Sequence, residues 1–168
     1  MISRSVTVAI QPRGFHGECV YMAGIDEYSN RGYLIPTNAR SKAPECLKAM
    51  LRPRLALRQR FAKPVLIELV RGDDAKEFKS AAFLQACADC NARACVTAAP
   101  HHKNSIASVD VFMKFVQRKA ATMMEMMSAP ADVWPFAAIM ACDQLWNWKP
   151  NAGNRGVSPL EKDEGFLP

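Results

Sequence analysis

The feature that most constrains the fold is an apolar run in the middle of the chain, Val65–Val70, which reads Val-Leu-Ile-Glu-Leu-Val. Branched apolar residues in such a short run are typical of a strand that is buried inside a sheet. The run is followed by Arg71, Gly72 and Asp73. The strand would therefore deliver a carboxylate to the edge of the sheet, where a divalent metal for phosphoryl-transfer chemistry would be held.

Three short strand candidates precede this run, at Val6–Ile10, Cys19–Ile25 and Gly32–Pro36. Turn-forming residues separate them, so the pattern predicts an antiparallel meander. The stretch 43–62 is rich in Leu, Arg, Lys and Ala and predicts a helix. Pro53 should kink this helix or split it in two, because proline lacks the N–H that a helix interior needs.

The second half of the chain predicts mostly helices. These are Glu77–Ala88, with Phe78, Ala81, Ala82 and Leu84 on one side, then Ser108–Met127 and Val133–Trp146. A short strand is predicted around Ala94–Val96, and the tail from Lys149 onward is predicted to be a loop because it is rich in Pro, Gly and Asn. Strands and helices in this order predict an α/β fold with a mixed sheet and helices on both faces.

Composition limits the classes of protein to which the chain can belong. The chain has 168 residues and 49% of them are hydrophobic, which suits one domain with one core. We expect a core domain over residues 1–148 and a loop-rich extension of it over residues 149–168. The net charge of +6 favours a polyanionic partner. Neither a membrane span of roughly 20 apolar residues nor a signal peptide is recognised, so we expect an intracellular protein with reduced cysteines.

The run Arg71–Phe78 resembles the R-S-D-N-G-G-E-F motif of copia-type retrotransposon integrases. Asp73 falls on the second catalytic aspartate of that family. Glu77 and Phe78 match its E-F, whereas residues 74–76 replace its N-G-G. The match places the carboxylate after the predicted strand in a known catalytic position of the family.

Other segments follow the family's order. Gly24–Asn30 resembles F-I-D-D-Y-S-R, and Ser158–Glu161 resembles T-P-Y-E. Met123–Met124, Pro130 and Trp134 keep the spacing of the family's M-L, P and W. The resemblance implies a ribonuclease-H-like fold, with a five-stranded mixed sheet flanked by helices, from a family that transfers DNA strands. A DNA partner would also fit a nuclear location.

Strand transfer in that family uses Mg²⁺ or Mn²⁺ held by three carboxylates. The first belongs to a motif like D-V-W-G-P, and Val8 stands at its place here; no Asp or Glu occurs before Glu18. The second is Asp73. The third is a Glu, and counting from Trp134 places Asp110 there. Asp73 and Asp110 are thus the candidate catalytic and metal-binding residues. The resemblance implies an integrase core with weak or lost metal binding, which keeps its fold and has lost its chemistry.

In the family, the long helix that carries the third acid lies along viral DNA. Lys114, Arg118 and Lys119 are on that helix here and are the candidate nucleic-acid-binding residues. A wider basic set forms either a phosphate-facing surface or a solvated helix face. Its members are Arg40, Lys42, Lys48, Arg52, Arg54, Arg58, Arg60 and Lys63.

Two other functions stay open. One is an active metal-dependent nuclease or strand transferase that uses Asp73, Asp110 and a further acid such as Asp26. The other is a protein-binding or homodimerisation module that reuses the fold. Its interface would contain Trp134, Trp146, Trp148 and the methionines of residues 123–127, although flexible core packing is the favoured interpretation of those methionines.

A zinc site is a weaker interpretation of the cysteines. Cys87, Cys90 and Cys95, followed by His101 and His102, have spacings that occur in zinc sites. Cys87, however, sits inside a helical pattern, and the family's zinc site lies in a separate region before the core.

Overall fold

The structure is a computed structural model that describes residues 2–9, 13–61, 69–72, 75–96 and 104–164, with side chains for 13–52, 69–72, 75–94 and 108–164. The strands are β1 Ile2–Ala9, β2 Val20–Asp26, β3 Gly32–Thr37, β4 Leu69–Gly72 and β5 Arg93–Val96. The helices are α1 Ala43–Phe61, α2 Ala81–Asp89, α3 Asn104–Met126, α4 Trp134–Met140 and α5 Pro159–Glu164, with a π-helical segment at Ala141–Asn147. None of the helices in these ranges is long and apolar enough to cross a membrane.

The strands form one mixed sheet in the order β3-β2-β1-β4-β5. The pairs β1–β2 and β2–β3 are antiparallel, and the pairs β1–β4 and β4–β5 are parallel. The predicted meander, the strand near Ala94–Val96 and the mixed α/β class are confirmed. Of the strand predicted at Val65–Val70, residues 65–68 lie outside the described part of the chain, and Leu69 and Val70 belong to β4.

The two faces of the sheet bury different cores, and β2 contributes to both. Met22 packs with side chains of α1 and α2, whereas Tyr21, Ala23 and Ile25 pack with side chains of α3 and α4. Successive strand residues point to opposite faces, which explains the division. Helices therefore cover both faces, as the element order predicts.

The helix predicted at Glu77–Ala88 is broken at Ser80. A short 3₁₀ turn covers Lys76–Lys79, Ser80 is extended with ψ 145°, and α2 begins at Ala81. The Oγ atom of Ser80 accepts a hydrogen bond from the N–H of Phe83 at 3.2 Å. Ser80 is thus an N-cap, which favours a helix start at this point rather than an uninterrupted helix.

Because of this break, the four residues that were predicted to share one side of the helix do not form its buried side. Phe78 is buried as expected, but Ala81, Ala82 and Leu84 are exposed. The buried side of α2 is formed by Phe83, Ala86 and Cys87. Their spacing of three and four residues is that of one helix face, counted from the cap at Ser80.

Three other predicted elements differ from the structure. Helix α1 runs through Pro53 without a break, so proline does not split it. The predicted helix Val133–Trp146 is a seven-residue α-helix that continues as a seven-residue π-helix. The tail is not entirely a loop, since Pro159–Glu164 forms α5, and the side chain of Arg31 lies 2.6 Å from a carboxylate oxygen of Asp163. The boundary between residues 148 and 149 stays a prediction.

The aromatic and methionine side chains proposed for an interface are divided between core and surface. Trp134 is buried, and Trp146 packs against the rings of Phe112 and Phe115. Trp148 is exposed. Met123 and Met124 pack against the core, whereas Met126 and Met127 are exposed. Burial of Trp134 therefore contradicts its predicted place in an interface, and core packing is confirmed for only part of the methionine run.

Candidate active site and nucleic-acid-binding helix

Strand β4 ends at Gly72 in close contact with Phe78. A Cβ atom on Gly72 would lie 3.0 Å from Cγ of Phe78, a contact so tight that the buried ring would have to shift by a few tenths of an ångström. Phe78 is fully buried, with its ring centroid 5.0 Å from that of Phe83. The phenylalanine of the motif thus fixes the backbone that leads into Asp73. Asp73 itself lies outside the described residues.

The neighbouring strand β1 contains Val8, the residue that the resemblance aligns with the family's first acid. In the parallel pair, Ser3 lies beside Arg71, whereas Val8 pairs with Tyr21 of β2. Val8 is five residues beyond Ser3, or roughly 16 Å at 3.3 Å per residue. The β1 residues level with the end of β4 therefore precede Val8. None of them is acidic, because the first acidic residue of the chain is Glu18.

Helix α3 presents Asp110 to solvent directly after the fully buried Val109. Lys114 and Arg118 follow at intervals of four residues and are also exposed. Residues at this spacing lie about 40° apart around a helix, so Asp110, Lys114 and Arg118 share one side. Lys119 is exposed too, but it lies about 180° from Asp110 around the helix. The structure thus brings together three of the four candidate residues on this helix.

Asp26, the alternative acid, has a structural role at the end of β2. It is fully buried, and its Oδ2 atom accepts hydrogen bonds from the backbone N–H of Ser29 at 2.9 Å and from the Ser29 hydroxyl at 2.6 Å. An aspartate with these contacts stabilises the turn that leads to β3. This use of the carboxylate disfavours Asp26 as a metal ligand.

The first strand has no acidic residue, and Asp73 lies outside the described residues. Within the ranges that the structure describes, no group of three His, Cys, Asp or Glu side chains is arranged to hold a metal ion. Burial raises the pKa of Cys87 to about 11, which disfavours the thiolate that zinc requires. His101 and His102 lie outside the described residues.

The wider basic set is only partly available for phosphates. On α1, the amine of Lys48 donates to the carboxylate of Asp89 on α2 at 2.6 Å. Arg40, Lys42 and Arg52 are exposed. The side chains of the other members of the set lie outside the described side chains. Lys48 is therefore part of a helix–helix salt bridge as well as of a basic surface.

Helix α3 also carries an exposed apolar side chain that the sequence analysis missed. Val111 is 58% exposed, whereas Val109 and Val116 are completely buried. A helical-wheel count from the two buried valines would have found it, because two residues correspond to about 200° around the helix. Val111 therefore belongs to the same solvent-facing side as Lys114 and Arg118.

Tyr21 links α3 to the sheet through its hydroxyl, which accepts a hydrogen bond from Gln117 Nε2 at 2.8 Å. Burial raises the pKa of Tyr21 to about 12. Because an unfolded tyrosine has a pKa of about 10, this group stabilises the fold fully below pH 10. The contribution should be lost as the pH rises from about 10 to 12.

Chemical denaturation at a series of alkaline pH values would measure this loss, with Tyr21→Phe as the variant that removes the titrating group. We expect the stability of the variant to fall less steeply over this pH range than that of the unaltered protein. Equal slopes for the two proteins would contradict the assignment to Tyr21.

The fold is similar to that of integrase catalytic core domains in solved structures. No protein-family model matches the chain, and no curated protein matches it. Solved structures, by contrast, match the chain. The HTLV-2 integrase catalytic core domain in complex with magnesium, in a trimeric form, is 12% identical with a TM-score of 0.65; the match covers 96% of this chain and 94% of that one. The catalytic core domain of BIV integrase is 10% identical with a TM-score of 0.67, with coverages of 94% and 90%.

A third similar structure is larger. It is a chain of the simian T-cell lymphotropic virus intasome in complex with PP2A regulatory subunit B56 gamma, 12% identical with a TM-score of 0.69. The match covers 98% of this chain but only 54% of that chain, so this chain spans about half of its length. At these identities the likeness establishes the fold, and the function requires its own argument.

Proposed function

We propose that this chain is an integrase-core domain of copia-type origin that binds nucleic acid and no longer transfers DNA strands. The observation that carries the proposal is the exposure of Lys114 and Arg118 on the side of α3 that also holds Asp110. In the integrase family that the chain resembles, the corresponding side of this helix would face both the metal site and the DNA. The net charge of +6 supports a polyanionic partner.

The loss of chemistry is proposed from the carboxylates. A two-metal site needs acids that place two ions on the attacking and leaving oxygens. The first strand supplies none, and Asp110 is one methylene shorter than the glutamate of the family. Lys114 and Arg118 need no metal to contact phosphates, so DNA binding can outlast the catalytic function.

The binding half of the proposal is tested by fluorescence anisotropy on a labelled duplex at several salt concentrations. The double variant Lys114→Glu and Arg118→Glu should bind weakly and show a salt dependence reduced by about two phosphate contacts. Lys119→Glu reverses one charge on another side of α3, so it is matched by Arg118→Glu alone and should have a smaller effect than that single variant. Equal effects of the two single variants would contradict the placement of DNA along the side of Lys114 and Arg118.

The catalytic half is tested by Mn²⁺-dependent nicking and strand transfer on a labelled DNA end. We expect no activity in the unaltered chain. Two revertants restore the acids: Val8→Asp with Asp110→Glu follows the motif, and Ser5→Asp with Asp110→Glu places the acid two positions after Ser3, the last residue of β1 that pairs with β4.

Activity in one revertant would identify the position of the lost acid. Activity in the unaltered chain would overturn the proposed loss of catalysis. If both revertants stay inactive, the missing first-strand acid is not sufficient to explain that loss.

A further inference from the structure

The end of helix α3 holds two methionine side chains in solvent. Among the large hydrophobic side chains that the structure describes, Met126 and Met127 are the most exposed, at 81% and 77%. Met22, Met50 and Met113 are buried in the core. The thioethers of this one chain therefore differ widely in their access to a reagent in solution.

Hydrogen bonds fix the end of α3, so this exposure is not that of a frayed helix terminus. Ser128 has φ 48°, and its N–H donates to the carbonyl oxygen of Glu125 at 3.1 Å. The N–H of Ala129 donates to the carbonyl oxygen of Met124 at 2.9 Å. These two bonds around a left-handed residue form the Schellman motif, which satisfies the last carbonyl groups of a helix. The two exposed methionines thus sit at an ordered helix end.

The thiols, which compete with thioethers for oxidants, are poorly placed to react. A peroxide attacks the thiolate rather than the thiol. Burial raises the pKa of Cys87 to about 11 and so disfavours its thiolate. The thiol of Cys19 donates a hydrogen bond to the carbonyl oxygen of Asn38 at 3.1 Å. Burial also raises the pKa of three further thiols, those of Cys46, Cys90 and Cys142.

A thioether differs from a thiol because it carries no proton and needs no ionisation before it reacts. We propose that Met126 and Met127 form the site at which a hydroperoxide oxidises the folded protein, ahead of the buried methionines and of the five cysteines whose side chains are described. This modification is independent of the proposed nucleic-acid-binding function.

With hydrogen peroxide as the oxidant, a lone pair of the methionine sulfur attacks one peroxide oxygen. The S–O bond forms as the O–O bond breaks, so the sulfur loses the two electrons that the peroxide gains. The leaving hydroxide takes the proton of the transferred oxygen and departs as water, and the methionine becomes a sulfoxide. Because this polar product forms in solvent rather than in the core, the fold should tolerate it.

Tandem mass spectrometry after timed exposure to hydrogen peroxide measures the sulfoxide at each methionine. We expect Met126 and Met127 to react about ten-fold faster than the three buried methionines, because oxidation follows exposure. Met140, which is 54% exposed on α4, should react at an intermediate rate. The same protein unfolded in urea is the control, since all its methionines are then exposed and should react at similar rates.

Two variants of matched chemistry extend the test. Met126→Leu with Met127→Leu removes both thioethers with little change in volume and should slow the early uptake of oxygen by the intact protein. Met140→Leu should leave the early rate unchanged. After selective oxidation of Met126 and Met127, the unaltered protein should keep its urea midpoint and its five described thiols.

Three results would contradict the proposal. Equal rates at exposed and buried methionines of the folded protein would show that the fold does not direct the reaction. Loss of any of the five thiols before the two sulfoxides appear would assign the first oxidation to cysteine. A lower urea midpoint after oxidation of Met126 and Met127 alone would overturn the tolerance of the fold for the two sulfoxides.

Discussion

Replacing Gly32 with alanine should lower the free energy of unfolding by about 3 kcal/mol, at the upper end of the usual effects of overpacking. The new Cβ atom would lie 2.4 Å from Cε2 and 2.6 Å from Cζ of Phe112. The ring of Phe112 is fully buried and packs against Trp146 with 5.1 Å between the ring centroids. The ring therefore has little space into which to move.

Urea denaturation would measure this effect, and Gly153→Ala is a matched control. At Gly153 the nearest atom to an added Cβ is Oδ1 of Asn151 at 3.5 Å, an ordinary contact. We expect the control to change stability by less than about 0.5 kcal/mol. Adding Phe112→Leu to Gly32→Ala should recover part of the loss. If the Gly32→Ala protein is as stable as the control, the core around Phe112 rearranges to accommodate the added methyl group.

Replacing Asn147 with alanine should cost about 2–5 kcal/mol, because the buried N–H of Gly32 would lose its partner and the carbonyl oxygen of Gly32 would keep only the weak hydrogen bond from the Cys142 thiol at 3.5 Å. The Oδ1 atom of Asn147 accepts a hydrogen bond from the N–H of Gly32 at 2.8 Å, and its Nδ2 atom donates to the carbonyl oxygen of Gly32 at 2.9 Å. The side chain thus joins the π-helical segment to β3, and it is buried at the contact.

The same denaturation measurement applies, with Gln144→Ala as the control at an exposed position of the π-helical segment. Asn147→Asp is a second variant that tests the same hydrogen bonds. Its carboxylate has no N–H to donate to Gly32, so the variant should be destabilised at neutral pH and should regain stability as the pH falls and the carboxyl group takes up a proton. If Asn147→Ala matches Gln144→Ala, the two hydrogen bonds contribute little to stability.

Local patterns in the sequence were sufficient for β2 and β3, whereas β1 begins at Ile2, four residues before its predicted start. Strands β2 and β3 start and end within one residue of their predicted bounds, because alternation and turn residues are local signals. Helix α2 was misplaced because the cap at Ser80 interrupts a stretch whose apolar content is otherwise continuous. The π-helical segment could not be predicted, since its last residue bonds to Gly32, which lies 115 positions away.

The candidate residues on α3 are a second feature that local patterns in the sequence predict. The exposure of Asp110, Lys114 and Arg118 follows from helical periodicity once Val109 and Val116 are placed in the core. The tail is different, because α5 is held by Arg31, whose guanidinium lies 2.6 Å from Asp163 and 3.4 Å from Glu164. A contact between residues more than 130 positions apart leaves no local pattern that a reader of the sequence could find.

Asn147 also protects the outer edge of the sheet against other chains. Strand β3 is an edge strand, and in its antiparallel pairing with β2 the backbone groups of Gly32, Leu34 and Pro36 point outward. Asn147 occupies both groups of Gly32, and Pro36 has no N–H. Of these three residues, only Leu34 has an N–H that is not bonded to Asn147 within the described part of the chain. A neighbouring chain that aligns with β3 would find no alternating row of donors, so this edge resists the strand-to-strand aggregation that exposed sheet edges invite.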